Sequence, residues 1–231
     1  MPARYLLLRD AQQLAVATGV AVFPPLSPRY NAAPGQPLPV VRRRGDRREA
    51  VLLRWGLIPA WAGQTSPTAP LVNARAESAA TKPAFREAFR TRRCLVPADG
   101  FYEWRHDPHG PMPWLFESTD GGLLCFAGLW ETWSAPGAAP LESFAILTTA
   151  PNTLVAPFHD RMPAILPPES YDTWLDESTP PHRLQSLLTA CASALLRVRP
   201  VHPWLNNVGH DGPACLEPPP PPPAQQMDLG L

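Results

Sequence analysis

Cys94-Leu95-Val96-Pro97-Ala98-Asp99-Gly100-Phe101-Tyr102-Glu103-Trp104 holds two strand-like runs, Cys94–Pro97 and Phe101–Trp104, with only Ala98, Asp99 and Gly100 between them. Valine and aromatic side chains at this density suit a pleated, half-buried surface. Similar runs recur outward in both directions, at Arg4–Arg9, Leu38–Arg42, Val51–Trp55, Trp114–Glu117, Leu123–Trp130, Phe144–Thr149 and Leu195–Val201. Helical stretches are fewer and shorter. Asp10 is placed to cap a helix ending near Gly19, Lys82–Arg90 is amphipathic, and Pro168–Leu175 and His182–Ala190 complete the set. Proline, at 33 of 231 residues, is nearly threefold above the usual share of about 5%, which disfavours long helices. The pattern predicts an α+β fold in which mixed strands form a barrel-like sheet with short flanking helices.

A chain of 231 residues with 45% hydrophobic content can bury one sizeable core, so a single domain over residues 1–216 is expected. Residues 217–231 then form a tail, whose run Pro218–Pro223 is expected to be extended and solvated. Leu123–Trp130 is far too short an apolar run to span a bilayer, and Arg4, Arg9 and Asp10 interrupt any signal-peptide pattern. A cytoplasmic protein that does not engage membranes is expected.

Cys94, Cys125, Cys191 and Cys215 are scattered with no CxxC pair, which suggests neither a disulfide framework nor a zinc ribbon. His106 and His109 share a His-Asp-Pro-His turn, but no third ligand accompanies them, so no metal is expected. Formal charge is zero, yet nineteen of the twenty basic residues are arginine and only Lys82 is lysine. Arginine suits bidentate contacts to phosphate. The clusters Arg42-Arg43-Arg44-Arg47-Arg48 and Arg86-Arg90-Arg92-Arg93 read either as a path for a nucleic-acid backbone or, for the first, as a solvated hairpin tip. No GxSxG elbow, P-loop, GxGxxG or HExxH occurs, so serine hydrolase, nucleotide-binding and zincin readings lack their anchors.

Three polar residues sit in apolar or proline-bounded surroundings, where a charge is costly unless paired or used: Asn73, Glu103 and His159. Singly, each has an ordinary reading, as a turn former, an outward strand residue and a satisfied core histidine.

Their wording is informative together. Arg29-Tyr30-Asn31 with Ala33-Pro34, Arg54-Trp55-Gly56-Leu57-Ile58-Pro59-Ala60-Trp61, Asn73-Ala74-Arg75-Ala76-Glu77, Lys82-Pro83-Ala84-Phe85-Arg86, Phe101-Tyr102-Glu103-Trp104, Phe126-Ala127-Gly128-Leu129-Trp130, Thr148-Thr149 and His159-Asp160-Arg161-Met162-Pro163 occur in order, ending at Asn206-Asn207 and Asp211-Gly212-Pro213. This series resembles the SOS-response-associated peptidase (SRAP) family of abasic-site-processing proteins. The resemblance implies a monomeric pseudo-barrel α+β domain that needs no cofactor and binds single-stranded DNA, in a bacterial cytoplasm close to the nucleoid. It implies capture of an abasic-site aldehyde at the protein's own second residue. Carried over by motif, Asn73 would orient that residue, Glu103 would act as acid or base, and His159 would move a proton. Arg4, Arg75, Arg86 and Arg161 would meet the DNA backbone, and Trp61 reads as a base-stacking ring or as a side chain packed on the sheet.

Position 2 departs from the family. Members carry cysteine there and close a thiazolidine on the aldehyde, whereas this chain begins Met1-Pro2-Ala3-Arg4-Tyr5. With Met1 removed, Pro2 presents a secondary amine with a reference pKa of about 8, able to attack an aldehyde. The expected product is a reversible iminium ion open to hydrolysis or to β-elimination of the DNA strand, a lyase reaction. The alternatives are a silenced DNA-binding module and the self-processing peptidase that the family name suggests.

Overall fold

The computed structural model describes residues 3–63, 70–107, 110–134, 137 and 139–221, with the side chains of His106 and Asp107 outside the description. Pro2, the His106/His109 turn and the tail beyond residue 221 therefore lie outside the described residues. The chain runs β1 (Tyr5–Leu7), α1 (Ala11–Thr18), β2 (Arg29–Ala32), β3 (Pro37–Arg44), β4 (Arg47–Trp55), β5 (Asn73–Arg75), α2 (Ala76–Ala79), α3 (Arg86–Thr91) and β6 (Arg93–Ala98). It continues with β7 (Gly100–Asp107), β8 (Gly110–Ser118), β9 (Leu124–Trp133), β10 (Leu141–Thr149), β11 (Met162–Pro163), β12 (Ile165–Leu166), α4 (Tyr171–Leu175), α5 (Pro181–Leu187) and β13 (Leu196–Pro200).

Five strands close a barrel. β4 pairs β3, β3 pairs β6, β6 pairs β9 and β9 pairs β10, all antiparallel, and β10 returns to β4 in parallel. Closure leaves no free edge along that path. A second, antiparallel sheet runs β13-β8-β7-β1-β2. It lays Tyr5 and Phe101 against Phe126 of the barrel, at centroid distances of 6.2 and 6.1 Å, and Tyr5 also meets Trp55 at 5.3 Å. The expected α+β barrel-like architecture is the observed one.

Two short runs show how the sequence dictates its local structure. Asp10 caps α1 by accepting from the Gln13 amide at 2.8 Å, and Gly19 ends the helix at a φ of 67°. Asp99, between β6 and β7, accepts from the Leu8 amide at 2.6 Å and pairs with Arg9, which ties the end of β1 to that turn. Gly100 opens β7 so close to β8 that an added Cβ would stand 2.6 Å from the Phe116 carbonyl oxygen.

The helices are shorter than expected. Lys82–Phe85 forms a turn and α3 starts at Arg86, while α5 stops at Leu187 instead of reaching Ala190. Pro83 lacks an amide hydrogen and disfavours helical geometry at Lys82, which accounts for the late start. β2, β5, β11 and β12 escape a reading by apolar runs: β2 and β5 are short with polar members, and β11 and β12 are two residues each. Among the described residues no helix is long and apolar enough to cross a membrane.

Candidate active site

β7 alternates its side chains between two environments. Tyr102 is buried in a small cluster with Leu6, Leu115, Val201, Leu205 and Cys215, against which Trp104 packs, whereas Phe101 belongs to the main core. Glu103 shares the Phe101 face and is 3% exposed. Its carboxyl is pushed up to about 7, first by loss of solvent; the positive charge at the amino end of the chain opposes that shift, and the negative charge of Asp160 adds to it. A carboxyl so tuned exchanges protons readily at neutral pH.

The N-terminal strand leads to this carboxyl. Tyr5 pairs Phe101 and Leu6 pairs Gly100, and the Tyr102 amide donates to the Arg4 carbonyl at 3.2 Å. One further antiparallel step brings Ala3 level with Glu103.

His159 arrives from the connection between β10 and β11. Asn152 folds that segment, its Oδ1 accepting from the Leu154 and Val155 amides at 3.1 and 3.0 Å. Around Nδ1 of His159 stand the Arg161 amide at 2.9 Å and Asp160 Oδ1 at 2.7 Å, the first a donor to an unprotonated nitrogen and the second an acceptor from a protonated one. Partial burial, and then the positive charge at the amino end of the chain, hold the imidazole below its ordinary pKa, while Asp160, 2.7 Å from Nδ1, pulls the other way. An imidazole so placed can take up or give a proton in a reaction at its edge.

Asn73 and Arg75 lie at the two ends of β5, paired with Ile146 and Thr148 of β10. Thr148 pairs Arg75 on one edge and Pro163 of β11 on the other. Arg161 bridges this junction: its guanidinium makes a bidentate pair with Glu77 of α2, at 2.7 and 2.8 Å, and also donates to the Thr148 carbonyl. The loop carrying His159 is thereby locked to β10, on which the strand of Asn73 pairs, and to α2, which follows that strand. Arg75 is exposed beside this pair and contributes to holding the Glu77 carboxyl below its usual range, chiefly the work of Arg161.

The other candidate residues stand apart. Arg4 is on the Tyr102 side of the sheet, donating to Asn31 at 2.9 Å and the Leu205 carbonyl at 3.2 Å, with its guanidinium 5.7 Å from the Trp104 ring. Trp61 is 69% exposed beside Pro83. Arg86 lines a separate cleft of about 470 Å³ with Phe89, Arg90, Pro181 and Leu184.

Much of the arginine clustering is structural. Arg42 pairs with Glu49 and Glu142, Arg48 with Asp172 and Arg92 with Glu131. Arg93 is buried and gives its donors to the carbonyls of Phe89, Arg90, Trp174 and Asp176. Cys94, Cys125 and Cys215 are buried and all four cysteines are free; burial pushes the Cys125 thiol up to about 12. Sequence reasoning passed over Glu77, Asp160, Trp114 and Phe158, although the first two stand inside the quoted motifs. Their signal was adjacency to a candidate residue, which carries no direction until a fold supplies one.

Residues 1–208 match the family model described as SOS response associated peptidase (SRAP). The chain is 38% identical over 192 residues, 82% of its length and 86% of the relative's, to abasic site processing protein YoqW of Bacillus subtilis. It is 32% identical over 223 residues to abasic site processing protein HMCES of Gallus gallus, covering 83% of this chain and 66% of that one. In fold it is similar to a solved protein from Bacteroides thetaiotaomicron, with a TM-score of 0.81 at 24% identity over 93% of this chain and 98% of the other. With the family model matching most of the chain and relatives this similar along it, the chain belongs to the SOS response associated peptidase (SRAP) family.

Proposed function

We propose that this protein processes abasic sites in single-stranded DNA through the amine of Pro2. The observation that carries the reading is the register of β1 on β7, which leads the N-terminal strand to a buried carboxyl with a pKa near 7. Once Met1 is removed, the unprotonated Pro2 nitrogen adds to the C1′ aldehyde of the ring-opened sugar, forming a C–N bond as the carbonyl π pair moves to oxygen. The oxygen takes one proton from the adducted N–H and a second from Glu103 or His159, and leaves as water with the C–O pair while the nitrogen lone pair forms the C=N bond of the iminium ion. Water reverses the adduct. Alternatively, the Glu103 carboxylate removes a C2′ proton; the C–H pair forms the new double bond and the 3′ phosphate departs with its oxygen, cutting the strand.

Asn73 orients the N-terminal residue, Arg75 and Arg161 counter the charge of flanking phosphates, and Arg4 and Arg86 are further backbone contacts along the strand. Trp61, with its exposed ring, stacks on a neighbouring base. The proposed chemistry draws on the amine alone; Cys94, Cys125 and Cys215 are buried.

The test mixes the full chain with an oligonucleotide carrying one abasic site, with and without cyanoborohydride, on denaturing gels. Adduct only with reductant, plus strand cleavage without it, is the expected result. Tight binding with no adduct under either condition contradicts the proposal and leaves a DNA-binding module; a stable crosslink without reductant contradicts the iminium.

A further inference from the structure

We infer that Trp114 and Phe158 are the positioning residues of this site, the indole walling Glu103 off from water and Phe158 fastening the His159 turn to that wall. Trp114 lies directly opposite Glu103 across the β7–β8 pair, where facing Cβ atoms are about 4.5–5.5 Å apart. Its ring meets Phe158 at 5.3 Å and 61°, and Phe158 also meets Phe116 edge-on at 5.1 Å. Phe116 in turn stacks on Phe101 at 5.0 Å. Four rings thus run in a row, Trp114, Phe158, Phe116 and Phe101, along the flank of Glu103, and the second belongs to the residue immediately before His159. Edge-to-face contacts of this kind fix mutual orientation as well as excluding solvent.

One row therefore sets both acid–base groups. The charges that act on the carboxyl are the amino end of the chain, which lowers its pKa, and Asp160, which raises it. Neither comes from β8. What β8 adds is an aromatic face, so loss of that face admits water to Glu103 without changing any charge. The indole Nε1 is buried and has no acceptor among the described residues, so a phenyl ring at this position sacrifices no hydrogen bond.

The inference deepens the proposed reading of this site, but its primary test is independent of DNA. In the unliganded full chain, the Glu103 carboxyl is titrated by ¹³C NMR in wild type, Trp114→Ala, Phe158→Ala and Trp114→Phe, with thermal melts recorded alongside. The two alanine variants are expected to lower the Glu103 midpoint, Trp114→Ala by about one pH unit or more and Phe158→Ala by less. Trp114→Phe should keep the wild-type midpoint. Cooperatively folded alanine variants that titrate as wild type overturn the inference; if Trp114→Ala does not fold, Phe158→Ala alone decides. A second arm follows reductive trapping on abasic DNA against pH, where the Glu103-dependent limb should move with the NMR midpoint. Absence of trapping in wild type would count against the proposed chemistry and leave the titration to judge the aromatic row.

Discussion

Glu103 is held neutral by its surroundings at a pH where an ordinary glutamate is ionised. Its folded pKa, about 7, stands above the unfolded value of about 4.3, so the fold binds the proton more tightly than the unfolded chain does. The sign follows: stability is unaffected below about pH 4, falls as pH rises between the two values, and stays at the lower level above about 7. Glu103→Gln keeps the shape without the ionisation. It should raise the melting temperature at pH 8.5 and leave it unchanged near pH 4, by a margin on the order of 2 kcal/mol at the alkaline end. The same variant should lose strand cleavage on abasic DNA. Equal melting shifts at both pH values would show that the carboxyl is not strained by burial.

Legibility at this scale was uneven for a physical reason. Glu103 and His159 stood out because charge or ionisable nitrogen amid apolar residues demands an explanation. Arg93, in the same kind of surroundings, reads in the sequence as part of a basic path for a nucleic-acid backbone, although it is buried on four carbonyls of α3 and the α4 region. Charge in a sequence string does not reveal whether its partner is solvent, phosphate or a helix end. Only the fold does.

Among elements, the join between β7 and its neighbours and the join at the end of β10 matter most. Gly100 permits β7 to start against β8; Gly100→Ala drives a methyl into the Phe116 carbonyl and Leu115, and should cost about 1–3 kcal/mol by thermal or denaturant unfolding. At the other join, Glu77 is 55% exposed while Arg161 is only 12% exposed. Glu77→Ala should therefore cost less than about 1 kcal/mol of stability, since part of the pair is solvated. Its effect on chemistry should be greater, slowing adduct formation by about tenfold because the His159 turn loses its fastening to α2. A variant that melts lower yet reacts at the wild-type rate would remove positioning from the role of this pair. The long strands were readable from their apolar runs, whereas β5, which carries Asn73 and Arg75, is three residues long and forms only because β10 offers it an edge.

At the scale of the whole molecule, the closed barrel and the sheet that packs on it deliver three distant segments to one place: the N-terminal strand, β7, and the turn before β11. Their separation in sequence is why motif order could point to the site while its geometry could not be read. Position 2 is proline where the family resemblance implies cysteine, so it offers nitrogen and no sulfur, and the question at the site is which nitrogen reacts.

That is measured directly by trapping the adduct with cyanoborohydride on an abasic oligonucleotide, digesting the protein with nuclease and trypsin, and locating the added mass by tandem mass spectrometry. The expected result is a chain beginning at Pro2, with the modification on the peptide Pro2-Ala3-Arg4 and on its amine. Modification at Lys82, the chain's single lysine, or on a retained Met1 would contradict it.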